Sequence, residues 1–415
     1  MRKVQCLLLF LRLNNPIRDK TVMKNYHFVA TIAISLMLLC SCNSCSQEDS
    51  PVKKPQTEVP ADSIPPQEEP SDTTGSGNVP SDTTTTATTA FAKGADLGWV
   101  TEMEDDGIVF YNSEGKATDC FELMKQLGMN AVRLRVWVNP EKEYANYCNL
   151  PDVLVKARRA KALGMDVMID FHYSDWFADP SHQTTPSAWV GKSLAEVKQA
   201  LTEHTKKVLN ALKAEDIIPR WVQVGNETRN GMLHPYGQLW DNAGNTENGW
   251  PNYVALSNAG YDAVKAVLPE TQVIVHIDNA WDNNDWWFNQ FIKLGGKMDI
   301  IGLSHYPQTT SKGWKEINDL ALAHIAKWAK AYAKPVMVCE VGVKTEADET
   351  LAATVLTDFM TRVKTLDECL GVFYWEPQEH GWWKPEIYTK LGWDAYNMGA
   401  FNMDGRPSAV MKAFE

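Results

Sequence analysis

From Phe91 to the C-terminus, short runs rich in β-branched and aromatic residues alternate eight times with longer stretches of helical periodicity, a pattern that calls for a parallel sheet covered by helices. The predicted strands are Ala92–Leu97, Ala131–Val136, Asp166–Asp170, Trp221–Val224, Gln272–Ile277, Ile300–Ser304, Pro335–Cys339 and Gly371–Trp375. Helices are predicted between them, among them Leu150–Leu163, Ser193–Lys213, Asn252–Val267, Trp314–Tyr332 and Thr350–Thr365. Gly128 and Gly164 each close a helix shortly before a strand. Eight units in roughly 325 residues match an α/β fold of the (β/α)8 TIM-barrel type with elaborated mouth loops. A doubly wound open sheet competes with it, but that architecture places a glycine-rich phosphate loop after its first strand. Here the first strand reads Gly94-Ala95-Asp96-Leu97-Gly98-Trp99, with neither a helix start nor a lysine to hold phosphate.

Two predicted strands run into glutamate: Trp221-Val222-Gln223-Val224-Gly225-Asn226-Glu227 and Pro335-Val336-Met337-Val338-Cys339-Glu340. In a barrel both carboxyls emerge at the C-terminal mouth, where such folds place their chemistry. Carboxyls facing each other across a mouth suit glycoside hydrolysis, in which a retaining enzyme holds an ionised nucleophile about 5–5.5 Å from a protonated acid. A glutamate after a strand is as often a solvated loop residue or a first-turn acid, so the inference rests on the neighbours.

Arg133 and Arg135 share one face of the second strand, each within reach of a carboxylate, although one of them is equally well explained as a structural ion pair. Asn226 either donates to a sugar 2-hydroxyl or caps the following turn. The third strand ends in Asp170-Phe171-His172-Tyr173-Ser174-Asp175-Trp176, the sixth in Ser304-His305-Tyr306-Pro307 and the eighth in Tyr374-Trp375-Glu376-Pro377. Tyr306 is expected to donate its phenol to Glu340 and Trp375 to floor the sugar site, with His172, Asp175 and His305 as further substrate contacts. Sixteen tryptophans, about half of them assignable to core, supply flat faces for pyranose rings.

Other chemistries fit less well. No HExxH, GxSxG or paired-histidine helix spacing occurs. His172, Asp170 and Asp175 are a weak metal candidate, and no cofactor is required. Asp278, Asn279, Asp282, Asn283, Asn284 and Asp285 form an oxygen-rich loop able to hold a structural Ca²⁺, although a solvated turn with helix-capping residues explains it better. A net charge of −12 without a basic cluster argues against nucleic acid as partner and favours a neutral substrate.

The N-terminus reads as an export signal. Met23-Lys24-Asn25-Tyr26-His27 heads an apolar stretch, Phe28 to Leu39, which makes Met23 the expected true start. The stretch ends in Leu39-Cys40-Ser41-Cys42, which resembles a bacterial lipobox with Cys42 as the lipidated residue, so residues 1–42 are expected to be a signal segment. Residues 43–90, rich in Pro, Ser, Thr, Asp and Glu, are expected to be a disordered tether. Gln47-Glu48-Asp49 hints at outward display on an outer membrane. Cys120, Cys148, Cys339 and Cys369 are too scattered for a disulfide scaffold or a CxxC metal site; an oxidising compartment permits one bridge, Cys120 to Cys148, and Cys339 reads as a small buried residue.

Five ordered motifs carry a family resemblance: Lys93 to Trp99, Asn130 to Pro140, Asp170 to Pro180, Gln223 to Glu227, and Cys339-Glu340. Together they resemble glycoside hydrolase family 53, the endo-β-1,4-galactanases, from about Phe91 to the C-terminus, so that residues 91–415 form the expected catalytic domain. The resemblance implies a retaining (β/α)8 glycosidase with Glu227 as acid/base, Glu340 as nucleophile and β-1,4-galactan of pectic side chains as substrate. The chain departs from the family pattern twice: Trp176 stands at a variable place with Phe177 where tryptophan is expected, and His305 precedes Tyr306 where another tyrosine is more usual. The residues alone do not separate galactan from the substrates of other retaining β-glycanases such as endo-mannanase or cellulase, nor an active monomer from a non-catalytic glycan-binding protein.

Overall fold

The computed structural model describes residues 90–140, 146–379, 383, 385–390 and 396–415. The expected start at Met23, the expected lipidation site Cys42 and residues 43–89 of the expected tether lie outside the described residues. Eight parallel strands close a barrel in sequential order: β1 (Ala92–Asp96), β2 (Ala131–Val136), β3 (Asp166–Phe171), β4 (Trp221–Val224), β5 (Gln272–Ile277), β6 (Ile300–His305), β7 (Val336–Val341) and β8 (Cys369–Trp375). Their helical cover comprises α1 (Val100–Asp105), α2 (Cys120–Gln126), α3 (Leu150–Ala162), α4 (Leu194–Ala214), α5 (Gly249–Val267), α6 (Asp285–Lys293), α7 (Trp314–Tyr332) and α8 (Glu349–Val363), with a short α9 (Glu386–Lys390) in the last mouth loop. Local signals start these helices: a reciprocal Ser193–Glu196 capping box opens α4, Asn149 caps α3 ahead of Pro151, and Asp348 caps α8. No helix among the described residues is long and apolar enough to cross a membrane.

Strand periodicity sorts side chains into two compartments. One buried cluster, with Ala92, Ala131, Met168, Trp221, Ile274, Ile300, Met337, Cys339 and Phe373, draws on all eight strands and fills the barrel interior. The alternate residues, such as Val132, Leu134, Val222, Val275, Leu303 and Val338, join the larger core between barrel and helices. Inside the barrel, Trp221 meets Phe373 edge to face at 6.0 Å. Further toward the C-terminal ends, the inward positions change from apolar to polar: Asp96, Arg133, Asp170, Gln223, His276 and Ser304 are all buried there. The strands thus carry a greasy plug below and a charged layer at the mouth.

β7 differs from its prediction in a way that matters. It extends through Glu340 to Val341, and Glu340 lies inside the strand. Leu303 pairs with Val338 but Ser304 with Glu340, while on the other side Val338 pairs with Val372 and Val341 with Tyr374. β7 therefore carries one extra residue against both neighbours, a bulge at Cys339–Glu340. In a regular strand, Met337 and Cys339 facing inward would send Glu340 outward into the helix layer. The bulge turns it into the mouth.

All four described cysteines are buried and unbridged, so the permitted Cys120–Cys148 disulfide is not formed. Cys339 is part of the barrel interior.

Candidate active site

Glu227 reaches the mouth by a sharp reversal at the end of β4. Gly225 has φ 81°, and a Cβ there would meet Thr228 Cγ2 at 2.6 Å, so only glycine turns here without strain. Glu227 itself is left-handed, φ 47° and ψ 50°, an uncommon state for a residue with a side chain. A 3-10 turn, Thr228–Asn230, follows at once. Strain of this kind persists where surrounding structure enforces it. Here Thr228 is pinned by its hydroxyl to the His276 carbonyl at 3.0 Å and to Tyr253 at 2.7 Å.

Glu227 and Glu340 both line one cavity of about 250 Å³, together with His172, Asn226, Tyr306 and Trp375. Its wall is completed by Phe177, Ala178, Asp179, Thr309, Tyr396 and Met398. Trp375 is held by tryptophan and tyrosine edges, Trp99 at 4.9 Å and Tyr396 at 4.4 Å between ring centroids. Phe177, at the place where the family resemblance leads one to expect tryptophan, lies 4.7 Å from the Arg135 guanidinium, with Trp176 packed behind it at 4.9 Å.

Arg133 organises the layer beneath. It contacts Asp96 at 2.6 Å, Asp170 at 2.7 Å and Glu340 at 3.0 Å, and donates to Asn226 Oδ1 at 2.7 Å. Fully buried itself, it positions groups and presents no surface to substrate. Loss of such a cation would leave Asp170 and Glu340 without their guanidinium partner, a situation that costs roughly 3–5 kcal/mol.

Gln223 also donates to Asn226 Oδ1, at 2.9 Å, and the two donors fill both lone pairs of that oxygen. The amide is thereby oriented, with Nδ2 donating to the Ala178 carbonyl at 2.8 Å and a second N–H left for the cavity. His276 Nδ1 lies 2.9 Å from the same oxygen and 3.3 Å from the Glu227 backbone nitrogen. Its Nε2 is hydrogen-bonded to Ser304 Oγ at 2.9 Å, and the Ser304 hydroxyl donates to Glu227. Burial, helped by Arg133, keeps His276 neutral. His172 is fixed similarly, with Nδ1 accepting from the Ala178 N–H at 2.9 Å and Nε2 donating to Asp170 at 3.0 Å.

The two glutamates differ electrostatically. Burial lifts both. For Glu227 the charges of Glu340 and Asp278 add to burial and carry it well above the ordinary carboxylate range, against only the Ser304 hydrogen bond. For Glu340, Arg133 and the Tyr306 phenol, which donates to Oε2 at 2.8 Å, work against burial. A single proton shared by the pair therefore resides on Glu227.

Four expected contacts are not in the cavity wall: the buried Arg133 described above, and Arg135, Asp175 and His305. Arg135 lies to the side, paired with Glu376 and 3.6 Å from Asp96. Asp175 staples two loops, accepting from the Asn139 N–H at 3.0 Å and the Ser187 N–H at 2.8 Å. His305 faces the helices: its Nε2 bonds Asn318 of α7 at 2.8 Å and its ring stacks on Phe359 of α8 at 4.2 Å. Strand parity already contained that result, because Ser304 and Tyr306 face the barrel and the residue between them cannot. Asp96, Gln223, His276 and Ser304 were missed, and the same parity would have found them as polar residues on inward positions. In the oxygen-rich loop, Arg229 pairs with Asp278 at 2.9 Å and Asp282 at 3.1 Å, Lys327 contacts Asp285 at 2.5 Å, and Asn283 Oδ1 accepts the Asp285 N–H at 3.3 Å. Among the described residues no group of three or more His, Cys, Asp or Glu side chains gathers as for a metal ion.

The model of glycosyl hydrolase family 53 matches residues 92–414. The chain is 32% identical over 317 residues to a probable arabinogalactan endo-β-1,4-galactanase A of Aspergillus terreus, covering 70% of this chain and 87% of that protein. It is 34% identical over 315 residues to an arabinogalactan endo-β-1,4-galactanase of Cellvibrio japonicus, covering 70% and 81% respectively. Among solved structures, the GH53 catalytic domain of Ignisphaera aggregans superposes with a TM-score of 0.67 at 27% identity, over 78% of this chain and 95% of that one. With a sequence match that begins at the first barrel strand and ends one residue short of the C-terminus, and a paired-glutamate mouth on a closed barrel, the chain belongs to glycosyl hydrolase family 53.

Proposed function

We propose that the protein cleaves β-1,4-galactan within the chain, by a retaining double displacement. One observation carries the mechanism: two buried carboxyls share a cavity but have opposed support, Glu340 held by a cation and a phenol, Glu227 driven toward its protonated form. The Glu340 carboxylate attacks the anomeric carbon as the glycosidic C–O bond breaks and the Glu227 proton passes to the departing oxygen. A water molecule then gives its proton to Glu227 and attacks the same carbon, breaking the ester to Glu340. The free N–H of Asn226 is placed for the sugar 2-hydroxyl and the Trp375 face for the ring. The substrate follows from the kinship with proteins named as galactanases. A timed digest of linear β-1,4-galactan, with mannan and carboxymethyl-cellulose alongside, tests it: a ladder of galacto-oligosaccharides with initially β-configured reducing ends is expected from galactan alone, and cleavage only of another glycan would overturn the substrate assignment.

Activity should follow a bell in pH, falling on the acid side as Glu340 takes up a proton and on the basic side as Glu227 loses one. Tyr306→Phe removes a hydrogen bond that holds Glu340 down. Its acidic limb should therefore move to higher pH, with kcat/KM lower by about 10- to 100-fold, the worth of a hydrogen bond to a charged group. An unmoved acidic limb would separate Tyr306 from the nucleophile.

We further infer that Cys42 is lipidated and that residues 43–90 tether a monomeric barrel at the cell envelope, facing outward. Support comes from the Leu39-Cys40-Ser41-Cys42 segment and the Pro/Ser/Thr-rich stretch after it. Labelled palmitate should enter the wild type and not Cys42→Ala, and protease added to intact cells should release the barrel; equal labelling of both would move the anchor elsewhere. The mechanism draws on no cofactor, so activity should survive exhaustive chelation.

A further inference from the structure

The departing sugar begins beside Glu227, because that residue protonates its oxygen, and the chain on this side leaves the cavity near the segment that Glu227 opens. That segment holds an aromatic residue in a fixed place. Asn230, at the end of the 3-10 turn, clamps Trp240 by its backbone: Oδ1 accepts the Trp240 N–H at 3.0 Å and Nδ2 donates to the Trp240 carbonyl at 3.1 Å. The Trp240 ring lies 5.9 Å from that of Trp286, tilted by 57°, and Trp250 supports Trp286 edge-on at 6.3 Å.

Trp286 sits in the first turn of α6, on the mouth side of β5, and is 49% exposed. Its neighbour Trp287 has the opposite fate. It is fully buried, stacks on Phe291 at 5.2 Å and donates from Nε1 to the Arg229 carbonyl at 2.9 Å. Arg229 in turn grips Asp278 and Asp282. Asp278 is among the charges that act on Glu227. Trp287 secures the helix to the core. The outward indole adds little to that packing.

We infer that Trp286, backed by Trp240, is a stacking site for a galactose unit on the departing side of the scissile bond. This deepens the galactan reading and rests on it. A galactopyranose has its C3–H, C4–H and C5–H on one face, and an exposed indole held rigid from behind is the complementary surface for such an apolar patch. The short path from Glu227 through the turn Thr228–Asn230 and its clamp on Trp240 to the Trp286 ring is what selects the substrate's own chain as the occupant.

The test compares Trp286→Ala with wild type on two substrates, linear galactan and β-galactobiosyl fluoride, whose leaving group is one atom and reaches no departing-side sugar site. Trp286→Ala should lose about tenfold in kcat/KM on galactan, with longer products, while turning over the fluoride within about twofold of wild type. Trp286→Tyr should regain most of the loss. Equal loss on both substrates, or none on galactan, overturns the platform. Failure of the wild type to cut galactan while it still hydrolyses the fluoride overturns the substrate reading, and the platform falls with it.

Discussion

Glu340→Ala is expected to lower turnover of galactan by about 10⁵-fold while binding persists, because no other group can form the covalent intermediate. Azide should restore part of the rate on a substrate with a good leaving group. It enters from the face Glu340 vacates, so the product should be the α-galactosyl azide. The protein should remain folded, with Tm unchanged or raised. Arg133 keeps Asp96 and Asp170 as partners at 2.6 and 2.7 Å, and the mouth loses one of several crowded negative charges. Glu227 should titrate lower in this variant, since the Glu340 charge helps hold it up. A β-configured azide product would place the nucleophile elsewhere, and a rate within tenfold of wild type would remove Glu340 from the chemistry.

Glu227→Gln is the second large effect. It preserves size at a strained, left-handed backbone position and removes the transferable proton. Loss on galactan should reach about 10⁴-fold, the upper range for general acid catalysis. A dinitrophenyl β-galactobioside, whose leaving group needs no proton, should form its glycosyl-enzyme at close to the wild-type rate and then stall, because the water in the second step lacks its base. The sign of the pH effect is definite. Glu227 must be protonated for the first step and its pKa is raised by burial, then by Glu340, so the basic limb belongs to it and should vanish in the variant. Persistence of that limb, or equal losses on galactan and the activated substrate, would assign the proton donor to another residue.

Much of this arrangement was legible before any coordinates. Alternation of strand and helix signals is local, and it placed all eight strands to within a few residues. Glu227, Asn226 and Tyr306 follow directly from strand ends, and each lines the cavity. Strand parity also contained more than was drawn from it: Asp96, Arg133, Asp170, Gln223 and His276 all occupy inward positions, and His305, expected at the mouth, sits on the outward one against Asn318 and Phe359.

Parity alone, however, turns Glu340 the wrong way. The extra residue in β7 exists only relative to β6 and β8, because a bulge is a mismatch between paired strands and has no signature within one of them. The division of labour between the arginines is likewise non-local: Arg133 meets Asp170 and Glu340 across the barrel, while Arg135, two residues on and chemically identical, pairs with Glu376 from the last strand's end. So is the residence of the proton on Glu227, which sums burial, the charges of Glu340 and Asp278 and the opposing Ser304 hydrogen bond. The sequence by itself determined the barrel and the identity of the reactive groups, since periodicity and side-chain chemistry are carried by each segment alone. Only the tertiary structure decided that Glu340 faces the mouth, which carboxyl each arginine meets and where the shared proton rests, because register, burial and Coulomb interactions depend on residues far apart in the chain.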